Sequence, residues 1–346
     1  MRHLKVVGLK LLLGALVLIA AMPKAGFSAQ AVQSDWAQLA STGAVQQFLF
    51  QLIHGMDLPT YKAQFIAALP AQERPRYNAM TNEDFNRIDG VIVGGYRVVD
   101  LDRDGKSEFV AVIGQGGRQL LNTLVIVHGP ASNPKHTELL SDPPNDLAKQ
   151  IVDLDGNGAF EIVTHEALRE DPMGRRALWK SVWEWRGDKA MRAEGSHPKF
   201  YSESVLAAAE TELAKIRSKR FGITIQPGRA PSLLTDCFEI SEGQNLAANQ
   251  REITEEEKEV LASIFHLLAF RARRLATGSD SEAVQRAAQW AKSSRRELRE
   301  SAAIAFEDLN GPEMQRWLDI LAGDKEPRVS GRAKAALGKK GQGREK

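Results

Sequence analysis

The sequence predicts an α+β multidomain chain: a small antiparallel β domain carrying two copies of an acidic loop, flanked by N-terminal helices and by a C-terminal α-helical repeat region. Three observations predict it. Apolar residues recur at helical spacing up to about residue 90, and short runs rich in Val, Ile and aromatics then take over. An acidic segment occurs twice, 53 residues apart. Towards the C-terminus the helical period returns, with small residues repeating at an offset of 31.

Residues 1–31 read as a cleaved signal peptide. Arg2, Lys5 and Lys10 precede the apolar run Leu11–Met22, and Ala29-Gln30-Ala31 offers small residues for signal-peptidase cleavage. The run is shorter than the ~20 residues a membrane span needs, so the mature chain is expected to carry no transmembrane span. No cysteine follows for lipid anchoring. Export points to the periplasm, with secretion as the alternative. The whole chain has a net charge of +2, but the leader holds four basic side chains and no acid. Its removal leaves 42 basic against 44 acidic residues. That balance provides no global field for nucleic acid, so no nucleic-acid partner is expected. Cys237 is the only cysteine; it cannot staple the chain, and Leu233, Leu234 and Phe238 around it suggest a buried thiol.

The stretch 32–90 reads as an N-terminal helical segment. Val45, Phe48, Leu49, Leu52 and Ile53 share one helix face, and Gly55 stops that helix. Pro59 opens a second helix bearing Tyr61, Phe65 and Leu69, which Pro70 ends. Across 91–200 the strand runs are Val91–Val99, Phe109–Ile113, Leu121–Val127, Phe160–Val163 and Ala177–Trp185, separated by Gly, Pro and Asp clusters. Residues 201–252 read as a helix over Tyr201–Arg220 followed by an irregular connector, and 253–340 as an α-helical domain. Thr254 and Glu257 form a capping box at its start.

The repeated segment runs from Val98 to Val110 and from Ile151 to Val163. Seven of its thirteen positions are identical and three more are conservative. Asp100, Asp102, Asp104 and Glu108 fill loop positions 1, 3, 5 and 9; Asp153, Asp155, Asn157 and Glu161 repeat them. A hard cation such as Ca²⁺ takes six to eight oxygens, and alternate positions of a curling loop can all point inward. The position-7 carbonyls, of Lys106 and Ala159, would add a ligand each. Gly105 and Gly158 permit the sharp turn at position 6. The second loop has an amide where the first has a carboxylate, so it is expected to bind Ca²⁺ more weakly. Affinities on the order of 10⁻⁴–10⁻³ M fit extracellular modules.

This pattern is similar to an EF-hand loop, but Ala111 and Thr164 stand where the bidentate carboxylate would be, and the flanks are strands. Hydrophobic–Asp-Leu-Asp-x-Asp/Asn-Gly-x-x-Glu–hydrophobic between strands resembles the FG-GAP/VCBS class of calcium-loop repeats over 91–200. The resemblance implies a loop joining two strands of a blade-like sheet and a mainly structural ion. Two copies cannot close a propeller of 4–8 blades, so a compact two-unit β domain capped by helix is expected instead.

In the C-terminal region Ala291 aligns with Ala322, Leu298 with Val329, Ala302 with Ala333, Ala305 with Ala336 and Phe306 with Leu337. Asp324-Lys325-Glu326-Pro327-Arg328-Val329, followed by Ala333, Ala336, Leu337 and Gly338, resembles a short bacterial HEAT-type repeat. Arg299 matches that family's usual arginine, whereas Ser330 replaces it in the next unit. The resemblance implies stacked helix pairs, with the helix from Thr254 to Leu275 as the preceding layer, and a surface for a partner protein. An ordinary helical bundle is the other reading.

No Gly-x-Ser-x-Gly, His-Glu-x-x-His, Walker loop or dinucleotide fingerprint occurs, and nothing near His165-Glu166 completes a zinc triad. The expected function is that of an exported, calcium-binding, non-enzymatic interaction or scaffold protein. Its β domain is rigidified by Ca²⁺, and its helical repeats bind a partner protein. Two alternatives stay open. One is an envelope-acting hydrolase with the acidic loops near its site. The other is a carbohydrate-binding module using Trp179, Trp183 and Trp185, which share one face of a strand; core packing of these rings is the plainer reading.

Overall fold

A computed structural model describes residues 42–115, 122–129, 133–142, 145–170, 175–217, 238–240, 255–278, 281–309 and 311–342. The leader, Cys237, Thr254 of the expected capping box and most of 221–249 lie outside the described residues. The fold is mixed α+β, with two antiparallel sheets and a C-terminal helical region. The chain divides into two compact units. Among the described residues, the first runs to Ile151 and also takes in Trp185–Ala190; the second comprises Val152–Glu184 and everything from Met191 onward.

The first unit opens with α1 (Thr42–His54), which ends where Gly55 turns left-handed at φ 70°. Asp57 caps α2 (Leu58–Ala68) by accepting the Thr60 N–H at 2.8 Å, and Pro59 sits in the first turn where its missing N–H costs nothing. Two short helices follow, α3 (Arg74–Asn78) and α4 (Asn82–Asp89), the latter capped by Thr81. The sheet is a meander in the order β1 (Val91–Val99), β2 (Glu108–Gln115), β3 (Thr123–His128), β4 (Lys135–Leu140). Val45, Phe48, Leu49 and Phe50 of α1 pack on Val91, Phe109, Ala111, Ile113, Val125 and Val127. Alternate residues of β2 and β3 thus face the helix, as the period of two requires. The strand β3 is buried along its whole length, so it reads as a continuous apolar run. The turn α5 (Leu147–Gln150) follows β4.

The second sheet has the order β5 (Ile151–Val152), β6 (Glu161–Glu170), β7 (Arg175–Arg186), β8 (Lys189–Arg192), with β9 (Phe238–Ile240) also paired to β7. A nearly unbroken helical stretch follows: α6 (Pro198–Phe200), a π-helical turn (Tyr201–Leu206) and α7 (Ala207–Arg217). Tyr201, Val205, Ala209 and Leu213 of this stretch join Val163, Trp179 and Val182 of the sheet and Leu261, Phe265 and Leu268 of α8 (Glu255–Thr277) in one core. The other side of α8, through Val260, Leu267 and Phe270, belongs to the core of the C-terminal helices. A helix buried on both sides is mostly apolar all round, and Val260–Phe270 is buried throughout, with Ser263 and His266 its polar members.

The C-terminal helices are α9 (Ser281–Ala291), α10 (Arg296–Asp308), α11 (Pro312–Ala322) and α12 (Pro327–Gln342). All ten residues related by the 31-residue offset lie in or against their shared core. Arg299 spans the ends of the two pairs. Its guanidinium grips Asp324 through two bonds of 2.6 and 3.2 Å and donates to the carbonyls of Ser293 and Ser294.

Candidate metal centres

The two acidic loops are built on the same hydrogen bonds. The position-1 carboxylate accepts the glycine N–H of position 6, Asp100 from Gly105 at 3.0 Å and Asp153 from Gly158 at 2.9 Å. Position 3 accepts the N–H of position 5, and position 5 that of position 7, in both copies. The glutamate at position 9 reaches back to the N–H of position 2: Glu108 to Leu101 at 3.0 Å, Glu161 to Leu154 at 2.7 Å. Each loop is thus a chain of side-chain-to-backbone turns closed by a buried glutamate. The left-handed backbone needed for this curl falls at Arg103 and Gly105 in the first loop and at Gly156 and Gly158 in the second.

In the first loop, which joins β1 to β2, Asp100, Asp102 and Asp104 bring carboxylate oxygens within 4.8 Å of one another. Oδ1 of Asp100 is buried and has no hydrogen-bond partner. Asp102 is oriented by the Gly187 N–H, 2.8 Å from Oδ2, and Asp104 by the backbone and side chain of Lys106. Those Lys106 bonds hold the Asp104 carboxyl below its ordinary range. Burial pushes the Glu108 carboxyl up to about 7, and the charges of Asp102 and Asp104 act in the same direction. Three carboxylates at this separation repel one another. A cation would turn that repulsion into attraction, and the unpaired Asp100 oxygen suits a ligand role. Glu108 lies outside the grouped oxygens, at the base of the loop.

The second loop joins β5 to β6 and groups its acids differently. Asp155 and Glu161 lie within 4.8 Å of His197, a residue that sequence spacing does not bring to either loop. Both oxygens of Asp153 accept loop amides, from Gly156 and Gly158, and Asp155 accepts twice from Asn157. Asp153, Asn157 and the Ala159 carbonyl are outside the grouped atoms; Asn157 instead accepts the Ala159 N–H at 2.7 Å. Burial raises the Glu161 carboxyl, opposed by the Leu154 amide and by His197.

The three tryptophans of β7 do not form an exposed platform. Trp179 is fully buried, stacked on Tyr201 at 4.9 Å with the Arg271 guanidinium against its ring. Trp185 is buried edge-on to His128. Trp183 alone keeps part of its surface, under Arg192, and donates its N–H to Thr164 at 2.9 Å. Packing takes the rings that a glycan would need. Among the described residues no helix is long and apolar enough to cross a membrane. No family model matches the chain, and no curated protein or solved structure is significantly similar to it, so its function has to be argued from these sites.

Proposed function

We propose that the chain is an exported calcium-binding, non-enzymatic interaction protein. Ca²⁺ at the first loop would rigidify the first sheet, and the C-terminal helix pairs would offer a surface to a partner protein. The observation that carries the reading is the Asp100 carboxylate: a buried oxygen without a partner, grouped with two more carboxylates on a turn between paired strands. Asp100, Asp102 and Asp104 would supply charged oxygens and the Lys106 carbonyl a neutral one, while Glu108 would fix the base of the loop. The ion supplies charge neutralisation and cross-linking, and no reaction is required of it. The resemblance of the helix pairs to HEAT-type repeats supports the partner-binding half, as does Ile320, a large apolar side chain left exposed on α11. Export rests on the leader-like residues 1–31.

Calorimetric titration of the full chain with Ca²⁺, paired with thermal melts with and without chelator, tests the reading. Binding that disappears in Asp102→Asn, and a melt that rises with Ca²⁺, are expected; at a hundredfold excess over Kd the gain is about 2.7 kcal/mol. Absence of both heat and shift would reduce the first loop to an acidic turn.

A further inference from the structure

We propose that the second loop is a mixed imidazole–carboxylate site for a first-row transition divalent cation, formed by Asp155, Glu161 and His197, and not a weaker copy of the calcium loop. The proposal deepens the function above and rests on it only in treating the acidic loops as cation sites.

Three observations converge. The ligand atoms of the three residues lie within 4.8 Å of one another. The His197 side chain is nearly inaccessible, with 6% of the residue exposed, and its Nε2 is buried without a hydrogen-bond partner. Oε1 of Glu184 also lies 3.4 Å from this nitrogen, an ion pair when the imidazole is protonated. Glu184 in turn stands directly opposite Glu161 in the β6–β7 register. Two carboxylates facing each other across a strand pair, with Asp155 beside one of them, are mutually repulsive without a positive group between them.

The backbone fixes the two buried ligands and leaves the third adjustable. Glu161 is the first residue of β6 and is pinned through Oε2 by the Leu154 amide. His197 follows a tight turn, donating its backbone N–H to Glu194, and Pro198 starts the helix beyond it. The π-helical turn that begins at Tyr201 lies immediately downstream, and such turns recur at functional sites. Asp155 is exposed, so it can swing inward to bonds of about 2.0–2.2 Å.

The donor chemistry sets the cation class. Ca²⁺ and Mg²⁺ take oxygen ligands, whereas an imidazole nitrogen favours Zn²⁺ and its neighbours. Asp153, which an oxygen cage would need at position 1, lies outside the grouped ligand atoms, and an imidazole takes part in its place.

The test is calorimetric titration of the full chain with Zn²⁺ and, separately, with Ca²⁺, combined with zinc X-ray absorption spectroscopy. One Zn²⁺ should bind, with a Kd raised at least tenfold in Asp155→Asn and in His197→Gln, while Ca²⁺ binding at the first loop stays unchanged. Because His197 is buried, His197→Gln can fail to fold; Asp155→Asn is at the surface, and the absorption spectrum of the unaltered protein should show imidazole scattering. Zinc binding indifferent to Asp155→Asn, or an oxygen-only shell, overturns the proposal. Two Ca²⁺ ions bound, the second lost in Asp155→Asn and not displaced by Zn²⁺, overturns it while leaving the calcium function standing. Absence of any cation heat overturns both.

Discussion

Position 4 of each loop takes a left-handed backbone, at Arg103 in one copy and Gly156 in the other, and position 6 does so at Gly105 and Gly158. A side chain at Gly105 or Gly156 would meet nothing within 4 Å, so substitution there is a pure backbone experiment. Gly105→Ala and Gly156→Ala should each destabilise by about 1–2 kcal/mol, read as a lower urea midpoint. His54 gives a pH test in the first unit. Its ring lies 4.4 Å from Phe50 and 4.5 Å from Tyr61, and burial lowers its pKa to about 4, against the pull of Glu138. Below the unfolded value of about 6.5 the unfolded chain takes up the proton and the folded chain does not. Stability should therefore be present above pH 6.5 and decline as pH falls through 4, and His54→Gln should flatten that dependence in urea titrations. At this scale the alternating acids and the glycines were legible, because a curling loop needs them at fixed spacing. His197 was not, since it enters from a turn 36 residues beyond Glu161 and no local pattern links the two.

Among the elements, Arg299 gives the sharpest expectation. Its ion pair with Asp324 is largely shielded, with 12% and 10% of the two side chains exposed, and it also satisfies two carbonyls at the end of α9. Arg299→Ala should cost about 2–4 kcal/mol, and Arg299→Lys should recover only part of it because an ammonium cannot make the paired contact. A double-mutant cycle with Asp324→Asn reads the coupling directly. In the second sheet, Trp179→Ala removes the ring stacked on Tyr201 and should cost about 3–5 kcal/mol in denaturant titration. Strands with apolar runs, such as β1, β2 and β7, were readable from the sequence. The strand β4 was missed because Lys135–Leu140 has a mostly polar make-up and is paired through its backbone to β3. The strand β8, Lys189–Arg192, is short and half polar, and the turn from β7 places it. In the C-terminal region the 31-residue offset was legible because it records which faces are buried.

Over the whole molecule, each unit has its own core, α1 against the first sheet, and α7 with α8 against the second. Calorimetry of the metal-free chain should therefore resolve two unfolding transitions, with Gly105→Ala lowering one and Gly156→Ala the other. Ca²⁺ should raise the transition that Gly105→Ala lowers. Periodicity announced helices and strands here but not which helix covers which sheet, since that choice is made by contacts far apart in sequence. The amide that orients Asp102 belongs to Gly187, 85 residues further along, in a short stretch that the first unit borrows from beyond its main boundary. A polypeptide delivered N-terminus first can pair β1 with β2 early, yet this loop must wait for that distant turn to arrive. A fragment ending at residue 151 would carry every acid of the first loop and still lack the last group that shapes it.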